Sequence, residues 1–520
     1  MADRDVTPGQ EDQDAPIGRP RIVHLVSCFL QRSETFTYNL IRHIHGFEHH
    51  VLTIATENLD LFPFDALTVA DSAEDFSRHV ARLQPCALVC HFGPMGFEGL
   101  IPALASHVPV ITVLHGYDVS MILRQPWWDE PYQALLRFGS HAICVSHEGR
   151  RRLLALGCDA AKATTIHLGV DVQRFAFRAR RQRCIGDPLS LLVVARLAEK
   201  KGIPVVLRAV RRLLDRGLNV SLRIVGEGED QETLLALHAR LGLEREVTFV
   251  GPLGSEGVAR ELAASDVLLL TSVTAANGDQ EGIPVVLMEA MASGVPVIAT
   301  RHSGIPELVE HERTGLLVDE GDDGGTADAI ARLAADGPLG GRLAVAARAR
   351  VERSFNLRRQ AALFGALFTK VIREYRRPPA PSPQAGLPRR MLLVRSVRVA
   401  KALSKLVVLR HRYPEAEFWL LTREDTREGF EKCPFVSRVL TYPAAGRMDL
   451  ASMPPDTMAE LRDADLDRVF VPLEDDPAGY DNVLAVARAC GARSVLGLTT
   501  RNDEVAVVTD GRQPATGQLR

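Results

Sequence analysis

Apolar strand-like runs alternating with amphipathic helical stretches predict an α/β fold of two successive Rossmann-like parallel-sheet domains and a third at the C-terminal end. The runs themselves carry much of this. RIVHLVSCF at 21–29 opens the ordered part, and VLTIA, ALVCHF, PVITVLHG and HAICVS follow it with helical stretches between several of them. They are apolar almost throughout, as strands covered on both faces are. The series then restarts twice. A basic connector, FRARRQRCIGDP at 177–188, precedes LSLLVVARL, SLRIVGEGE, VTFVGPL, SDVLLLTS, VPVIAT and GLLVD. A Pro-rich segment, extended and semi-rigid by composition, precedes MLLVR, AEFWLLT, RVLTYP, DRVFVPL and SVLGL. Finally, 520 residues are too many for one core and suit about three domains at ~100–200 residues each.

The expected boundaries follow in order. Residues 1–20 are acidic, polar and Pro/Gly-bearing, and are expected to be disordered. The first domain spans 21–180 and the second 185–354, with 338–376 read as helices. The linker covers 377–390, the third domain 391–500, and 501–520 is a polar tail expected to fray. No short-period repeat occurs.

Composition narrows the function classes. A net charge of −3 provides no basic field for nucleic acid, which excludes that partner. The eight cysteines are scattered, mostly inside apolar runs such as CALVC, without the repeated close pairs and histidines of a metal site. They are expected to be buried, reduced core residues in a reducing compartment, the cytosol. Neither a signal-peptide stretch nor a run of about 18 apolar residues is present, so any membrane contact is expected to be peripheral.

The most informative segment is DQEGIPVVLMEAMASGVPVIAT at 279–300. Pro284 suits the first turn of a helix, where its missing N–H costs nothing, and Gly294 suits its stop. The N–H groups around Pro284–Val286, reached through Gly282, Ile283 and Val285, then offer an anion site for a diphosphate. Glu281 precedes that site, and Glu289 lies about 7–8 Å beyond Pro284 along the helix at ~1.5 Å per residue. One carboxylate can face a sugar and the other a ribose with the diphosphate between them, which is the layout of a nucleotide sugar. Two glutamates eight apart are ordinarily a loop charge and a solvated helix residue; the surrounding residues decide otherwise here.

This segment resembles the signature of glycosyltransferase family 4, a retaining family of GT-B architecture in which two Rossmann-like domains face each other across a cleft. EGIPVVLMEAMASGVPVIATRHSGIPELV resembles the colanic-acid and exopolysaccharide subgroup in particular. SETF at 33–36, HFGPMG at 91–96, HGYDVS at 115–120, IHLGVDVQRF at 166–175 and VARLAEKKG at 194–202 agree, in the right order over about residues 21–376. The resemblance implies a hexosyltransferase-type enzyme using a nucleotide-sugar donor, UDP- or GDP-linked, on a glycan or lipid-linked glycan acceptor. It further implies work at the cytoplasmic face of a cell envelope, no cofactor and no metal; no Asp-x-Asp pair stands where a metal-dependent transferase would need one. A helix at 355–376 would cross back to complete the first lobe.

Roles carry over by position. Arg196 and Lys201 match the cations that clamp the donor diphosphate, and two cations suit a leaving phosphate's growing charge. Glu281 matches the residue that holds the transferred sugar's hydroxyls, and Glu289 the one that binds the ribose diol. His115, at a strand's end before Gly116, matches the histidine facing the donor sugar, with Asp118 as its neighbour on the acceptor side. Ser33, Glu34 and Thr35 would lie at a helix N-terminus near acceptor or phosphate, a place where capping alone is an equal alternative. Gly226 and Gly228 of IVGEGED are expected to line the donor cleft; a dinucleotide fingerprint is rejected because position 231 is Gln. Trp127–Trp128 is read either as buried packing or as an acceptor or interface contact. The basic runs at 150–152 and 178–183 are read as solvated faces or as contacts to anionic lipid.

The third domain's MLLVRSVRVAKALSKLVVLRHRYPEAEFWLLT resembles the first half of a family 9, heptosyltransferase-like glycosyltransferase. The Gly-Asp pair that family carries after its first strand is replaced by residues 396–401, SVRVAK, and no donor-binding second half follows. A recognition or docking module is the expectation for it. Two other functions compete with the family 4 reading: a soluble sugar-phosphate or glycogen-type synthase, and a non-catalytic nucleotide-sugar-binding module that scaffolds an envelope complex.

Overall fold

A computed structural model of the chain describes residues 19–31, 35–179, 187–375, 388–443, 448–473 and 480–506. Within them lie three sheets. The first contains β1 (Arg21–Phe29), β2 (Glu48–Thr56), β3 (Leu67–Val69), β4 (Ala87–His91), β5 (Val110–Leu114), β6 (His141–Cys144) and β7 (Ala163–Thr165). Its strand order is β3-β2-β1-β4-β5-β6-β7, parallel throughout. The second contains β8 (Leu189–Val194), β9 (Val220–Val225), β10 (Val247–Gly251), β11 (Val267–Leu270), β12 (Val297–Thr300) and β13 (Leu316–Val318), in the order β10-β9-β8-β11-β12-β13. The third contains β14 (Arg390–Val394), β15 (Glu417–Arg423), β16 (Val436–Tyr442), β17 (Arg468–Pro472), β18 (Ser494–Leu498) and β19 (Glu504–Ala506). Its order is β16-β15-β14-β17-β18-β19, with β19 antiparallel to β18.

All three are doubly wound sheets whose order reverses beside the first strand, and such a switch point opens a crevice at the strands' carboxyl ends. Every residue of β4 and β5 is buried, which is why both read as apolar runs broken only by His91 and Thr112. The first two lobes share one apolar cluster. It runs from Ile22 and Val89 through Leu287, Met291 and Ile305 to Phe364 and Phe368 of the helix Leu357–Glu374. That helix packs against the first lobe's helix Thr35–His43. Its N-cap Asn356 accepts the N–H groups of Arg358 and Arg359 and pairs with Val170 in a one-residue bridge. Gly169 has no room for a Cβ here, since one would lie 2.6 Å from the Leu357 nitrogen.

The third domain is packed onto the back of the first lobe. One cluster joins Phe76, Val80, Phe97 and Leu100 to Leu406, Leu409 and Phe430. Across this interface the Lys405 ammonium, 1% exposed, lies 2.7 Å from Glu130, and Lys401 lies 3.5 Å from the same carboxylate. Arg398 sits over the Trp127 ring at 5.0 Å, while Trp128 packs edge-on against Phe97 and Tyr132. Both tryptophans therefore serve this side of the lobe. Residues 398–401, in the stretch that stands in place of a family 9 Gly-Asp pair, lean on the first lobe instead.

The described cysteines are free thiols; Cys28 and Cys86 are half-buried rather than buried as expected. No helix among the described residues is long and apolar enough to cross a membrane.

Candidate active site

The carboxyl ends of the first two sheets face one another, and the loops leaving them meet. On the second lobe Pro284 is the N-cap, one residue earlier than a first-turn position, with φ −65° and ψ 123°. The helix Val285–Ser293 follows, and Gly294 ends it at φ 79°, in the left-handed region that glycine tolerates. The first N–H groups of such a helix have no intrahelical acceptor, and here they follow directly on the loop that meets the first lobe. Gly282 and Ile283 lead into it. A Cβ on Gly282 would collide with the His115 carbonyl, and one on Gly116 (φ 147°) would lie 2.7 Å from the Gly282 nitrogen. The two lobes thus touch backbone to backbone where the sequence predicted one site.

Glu281 is buried at this contact. Lys201 Nζ lies 2.5 Å from its Oε1, and Ser272 Oγ donates to the same oxygen at 3.4 Å. Burial pushes the Glu281 carboxyl up, but Lys201, with Lys200 behind it, outweighs burial and holds it below its ordinary value. The loop is pinned from below. The Glu281 N–H donates to His302 Nε2 at 3.1 Å, His302 Nδ1 bonds Glu320 at 2.6 Å, and Ser303 Oγ donates to the Glu281 carbonyl at 2.7 Å. Lys200 pairs with Asp279 at 2.9 Å. Arg196 is held only loosely, 3.9 Å from Glu229, and remains half-exposed. Gly226 and Gly228 press against the backbone on either side of Arg196: a Cβ on Gly226 would strike the Ala195 carbonyl, and one on Gly228 would lie 2.5 Å from the Leu197 carbonyl. Glu289 stands four residues into the helix, half-buried, and burial pushes its carboxyl up to about 7 against the pull of Arg174.

On the first lobe, His115 follows β5 with its ring between Phe92 at 4.4 Å and Phe36 at 4.9 Å. Burial, with His91 beside it, holds the ring neutral. The acceptor-side expectation for Asp118 is corrected. Asp118 is fully buried, and its oxygens accept the N–H groups of Gly93 (3.2 Å), His115 (3.0 Å) and Gly116 (2.7 Å). It shapes the histidine loop and has no face toward an acceptor. Thr35 opens the helix Thr35–His43, and its neighbour Phe36 is the residue that reaches His115. Ser33 and Glu34 lie outside the described residues.

Sequence reasoning missed the supports: His302, Glu320, Ser303, Lys200 and Asp279. It also missed Glu307, which joins the lobes. Its carboxylate accepts the N–H groups of His147 (2.8 Å) and Glu148 (2.9 Å) at the start of the first-lobe helix His147–Ala155, and lies 3.0 Å from His167 Nε2. RHSGIPELV contains three of these residues, and the quoted segments at 279–300 and 194–202 contain Asp279 and Lys200, but nothing local marks what any of them touches.

Comparison with known proteins decides the family. Residues 23–174 match the model for Glycosyltransferase Family 4, and 177–350 match that for Glycosyl transferases group 1. A GDP-mannose-dependent alpha-(1-6)-phosphatidylinositol monomannoside mannosyltransferase of Mycolicibacterium smegmatis is 31% identical over 267 residues, 49% of this chain and 68% of that protein. The chain belongs to glycosyltransferase family 4. Higher identity is found with WcaL of Escherichia coli, named for colanic acid biosynthesis, at 40% over 278 residues, 52% of this chain. The amylovoran biosynthesis glycosyltransferase AmsK of Erwinia amylovora is 40% identical over 248 residues, 47% of this chain. The chain spans 66% and 60% of the lengths of those two relatives. Among solved structures, Anabaena HepE in complex with UDP-glucose superposes with a TM-score of 0.58 at 20% identity, covering 67% of this chain and 99% of that one. At that identity the likeness establishes the fold alone, GT-B, for this family 4 chain. The two family matches end at residue 350, before the third domain.

Proposed function

We propose that this glycosyltransferase moves a sugar, with retention, from a nucleoside-diphosphate sugar on the second lobe to a hydroxyl of a glycan acceptor on the first. The product is an envelope or exported polysaccharide. One observation carries the reading: the Lys201–Glu281 pair is buried where the Gly282–Pro284 loop, the start of the helix Val285–Ser293 and the His115 loop converge. In this reading the diphosphate lies on the helix N-terminus with Arg196 and Lys201 as its cations. Glu281 holds the sugar's hydroxyls, Glu289 the ribose diol, and His115 faces the sugar from the first lobe. The departing diphosphate takes the acceptor's proton on the same face, so the enzyme needs no nucleophile of its own. No metal enters this scheme.

UDP is the first nucleotide to try, because HepE, of the same fold, holds UDP-glucose. The relatives named for colanic acid and amylovoran biosynthesis support an exopolysaccharide product; a lipid-linked acceptor, met peripherally at the cytoplasmic membrane face, belongs to the same proposal. The test is thermal unfolding of wild type and Glu289→Ala with UDP, GDP, ADP, CMP and dTDP. A nucleotide at 100 times its dissociation constant stabilises by about 2.7 kcal/mol. Stabilisation by one nucleotide, weakened in the variant, is expected. Stabilisation by none refutes the donor site, and donor binding without transfer to any glycan would leave a binding module.

A further inference from the structure

Three buried histidines of the first lobe form a chain that ends beside His115. In a parallel sheet, paired residues share a face; Ile22 pairs with His49, and His24 pairs with Val51 and Val89. His49, His24 and His91, two residues past Val89, therefore stand on one face of β2, β1 and β4. His49 Nε2 lies 3.0 Å from the Ile44 carbonyl, His49 Nδ1 lies 2.9 Å from His24 Nε2, and His24 Nδ1 lies 3.2 Å from His91 Nε2.

The carbonyl decides where every proton sits. It can only accept, so His49 carries its proton on Nε2, and a neutral His49 presents a bare Nδ1. His24 must then donate from Nε2, which leaves its own Nδ1 bare. His91 must donate from Nε2 to that nitrogen. His91 Nδ1 is left as a lone-pair acceptor, buried and without a partner among the described residues. Burial keeps the three rings neutral and pushes His91 down to about 3.

His91 stacks on His115, with ring centres 5.8 Å apart and planes at 21°. Both ring nitrogens of His115 are also buried and unpartnered. Between them the two rings offer two bare nitrogens and one N–H; one O–H group, donating once and accepting once, satisfies His91 Nδ1 and the N–H of His115 and leaves the second His115 nitrogen bare. The next residue adds backbone strain: Phe92 has φ 71°, a costly conformation for a residue with a side chain, and its ring lies against His115.

We propose that the chain from the Ile44 carbonyl through His49 and His24 is a tautomer lock that makes His91 the positioning residue for His115. Locked, His91 Nδ1 accepts the proton of an O–H group, either water or a hydroxyl of the bound sugar, and that oxygen accepts the N–H of His115. One imidazole tautomer and one orientation of His115 follow. The role of this lock in transfer rests on the glycosyltransferase reading above; the tautomers themselves do not.

The test has two arms on the full chain. In wild type with ring-15N-labelled histidine, His49, His24 and His91 are expected as Nε2–H tautomers at neutral pH. A protonated His91 Nδ1 overturns the lock, whatever the enzyme's activity. In the second arm, His91→Phe keeps the ring stack and removes both nitrogens. It is expected to lower kcat about 10- to 100-fold through misplacement of His115, with donor KM little changed. His91→Asn, which returns an acceptor near the Nδ1 position, is expected to recover part of the loss, and His91→Gln, which reaches the Nε2 position, is not. Full turnover in His91→Phe, or Gln equal to Asn, overturns the positioning role. A donor lacking one sugar hydroxyl then separates the two occupants: loss of the His91 effect with that donor identifies the sugar, persistence identifies water. If no nucleotide sugar binds even wild type, the glycosyltransferase reading fails while the tautomer arm still decides the lock.

Discussion

Two lysine–glutamate pairs of similar length do opposite work in this molecule. Lys201 lies 2.5 Å from Glu281 in the cleft, and Lys405 lies 2.7 Å from Glu130 between the first lobe and the third domain. The Lys405 ammonium is saturated: besides Glu130 it donates to the Thr499 carbonyl at 2.6 Å and to Asn502 Oδ1 at 2.9 Å. Lys201, among the described residues, meets Glu281 alone, next to a helix N-terminus and a half-exposed Arg196. A buried ammonium with an acceptor for each N–H is a fastener. An unsaturated one at the meeting of two lobes has donors left for a ligand, which is the physical difference between holding a fold and holding a substrate.

Lys201→Ala is the strongest way to break that contrast. It removes a cation from the place proposed for the diphosphate and leaves buried Glu281 without its nearest counter-charge, so turnover is expected to fall about 100-fold or more. Arg196→Ala should lower turnover on the same scale and leave the melting temperature near wild type, since its long pair with Glu229 adds little. Unchanged turnover in both variants would remove the cleft pair from the chemistry. Lys405→Ala should show the reverse: a cost of about 3 kcal/mol as Glu130 loses its nearer cation and keeps Lys401 at 3.5 Å, read by denaturant unfolding, with turnover kept in the folded fraction. Lys405→Met combined with Glu130→Leu should recover part of that stability, because apolar groups of similar volume replace the buried pair at little cost while the Thr499 carbonyl and Asn502 Oδ1 lose their donor. If the double variant is as unstable as the single one, the interface needs the charges themselves.

What was legible in the sequence was local. Pro284 and Gly294 bracket the helix Val285–Ser293 to within a residue, because one fixes φ and the other supplies a left-handed stop. The strand runs were legible because burial on both faces leaves few polar residues. The site's supports were not, because His302 acts on Glu281 from 21 residues away and Glu307 on His147 from 160. Asp118 was misplaced for a related reason: proximity in the loop did not reveal that its carboxylate turns inward to three backbone N–H groups. Trp127 likewise gave no sign that Arg398 would cover it. The histidine chain was invisible since β1, β2 and β4 lie side by side only once the sheet forms.

Glu289 gives the smallest and sharpest prediction, since binding and stability should respond to it with opposite signs. Its carboxyl is raised from 4.5 to about 7 by burial. In the ligand-free protein this half-buried carboxylate opposes folding, so stability from this group is fully present below its unfolded value and falls as pH rises through about 7. A ribose diol, by contrast, donates two hydrogen bonds to the carboxylate form, so nucleotide affinity should rise with pH over the same range and level off above it. About one in ten Glu289 carboxyls is ionised one unit below its midpoint, so affinity at pH 6 should be about 10-fold weaker than at pH 8. Glu289→Gln should flatten that dependence at a uniformly weak level while raising the ligand-free melting temperature at pH 8. Calorimetric titration with the nucleotide across pH 6–8, beside melting curves of both proteins, reads the two signs separately. Affinity independent of pH in wild type would move the ribose away from Glu289 and leave only the helix N-terminus and the cations to hold the donor.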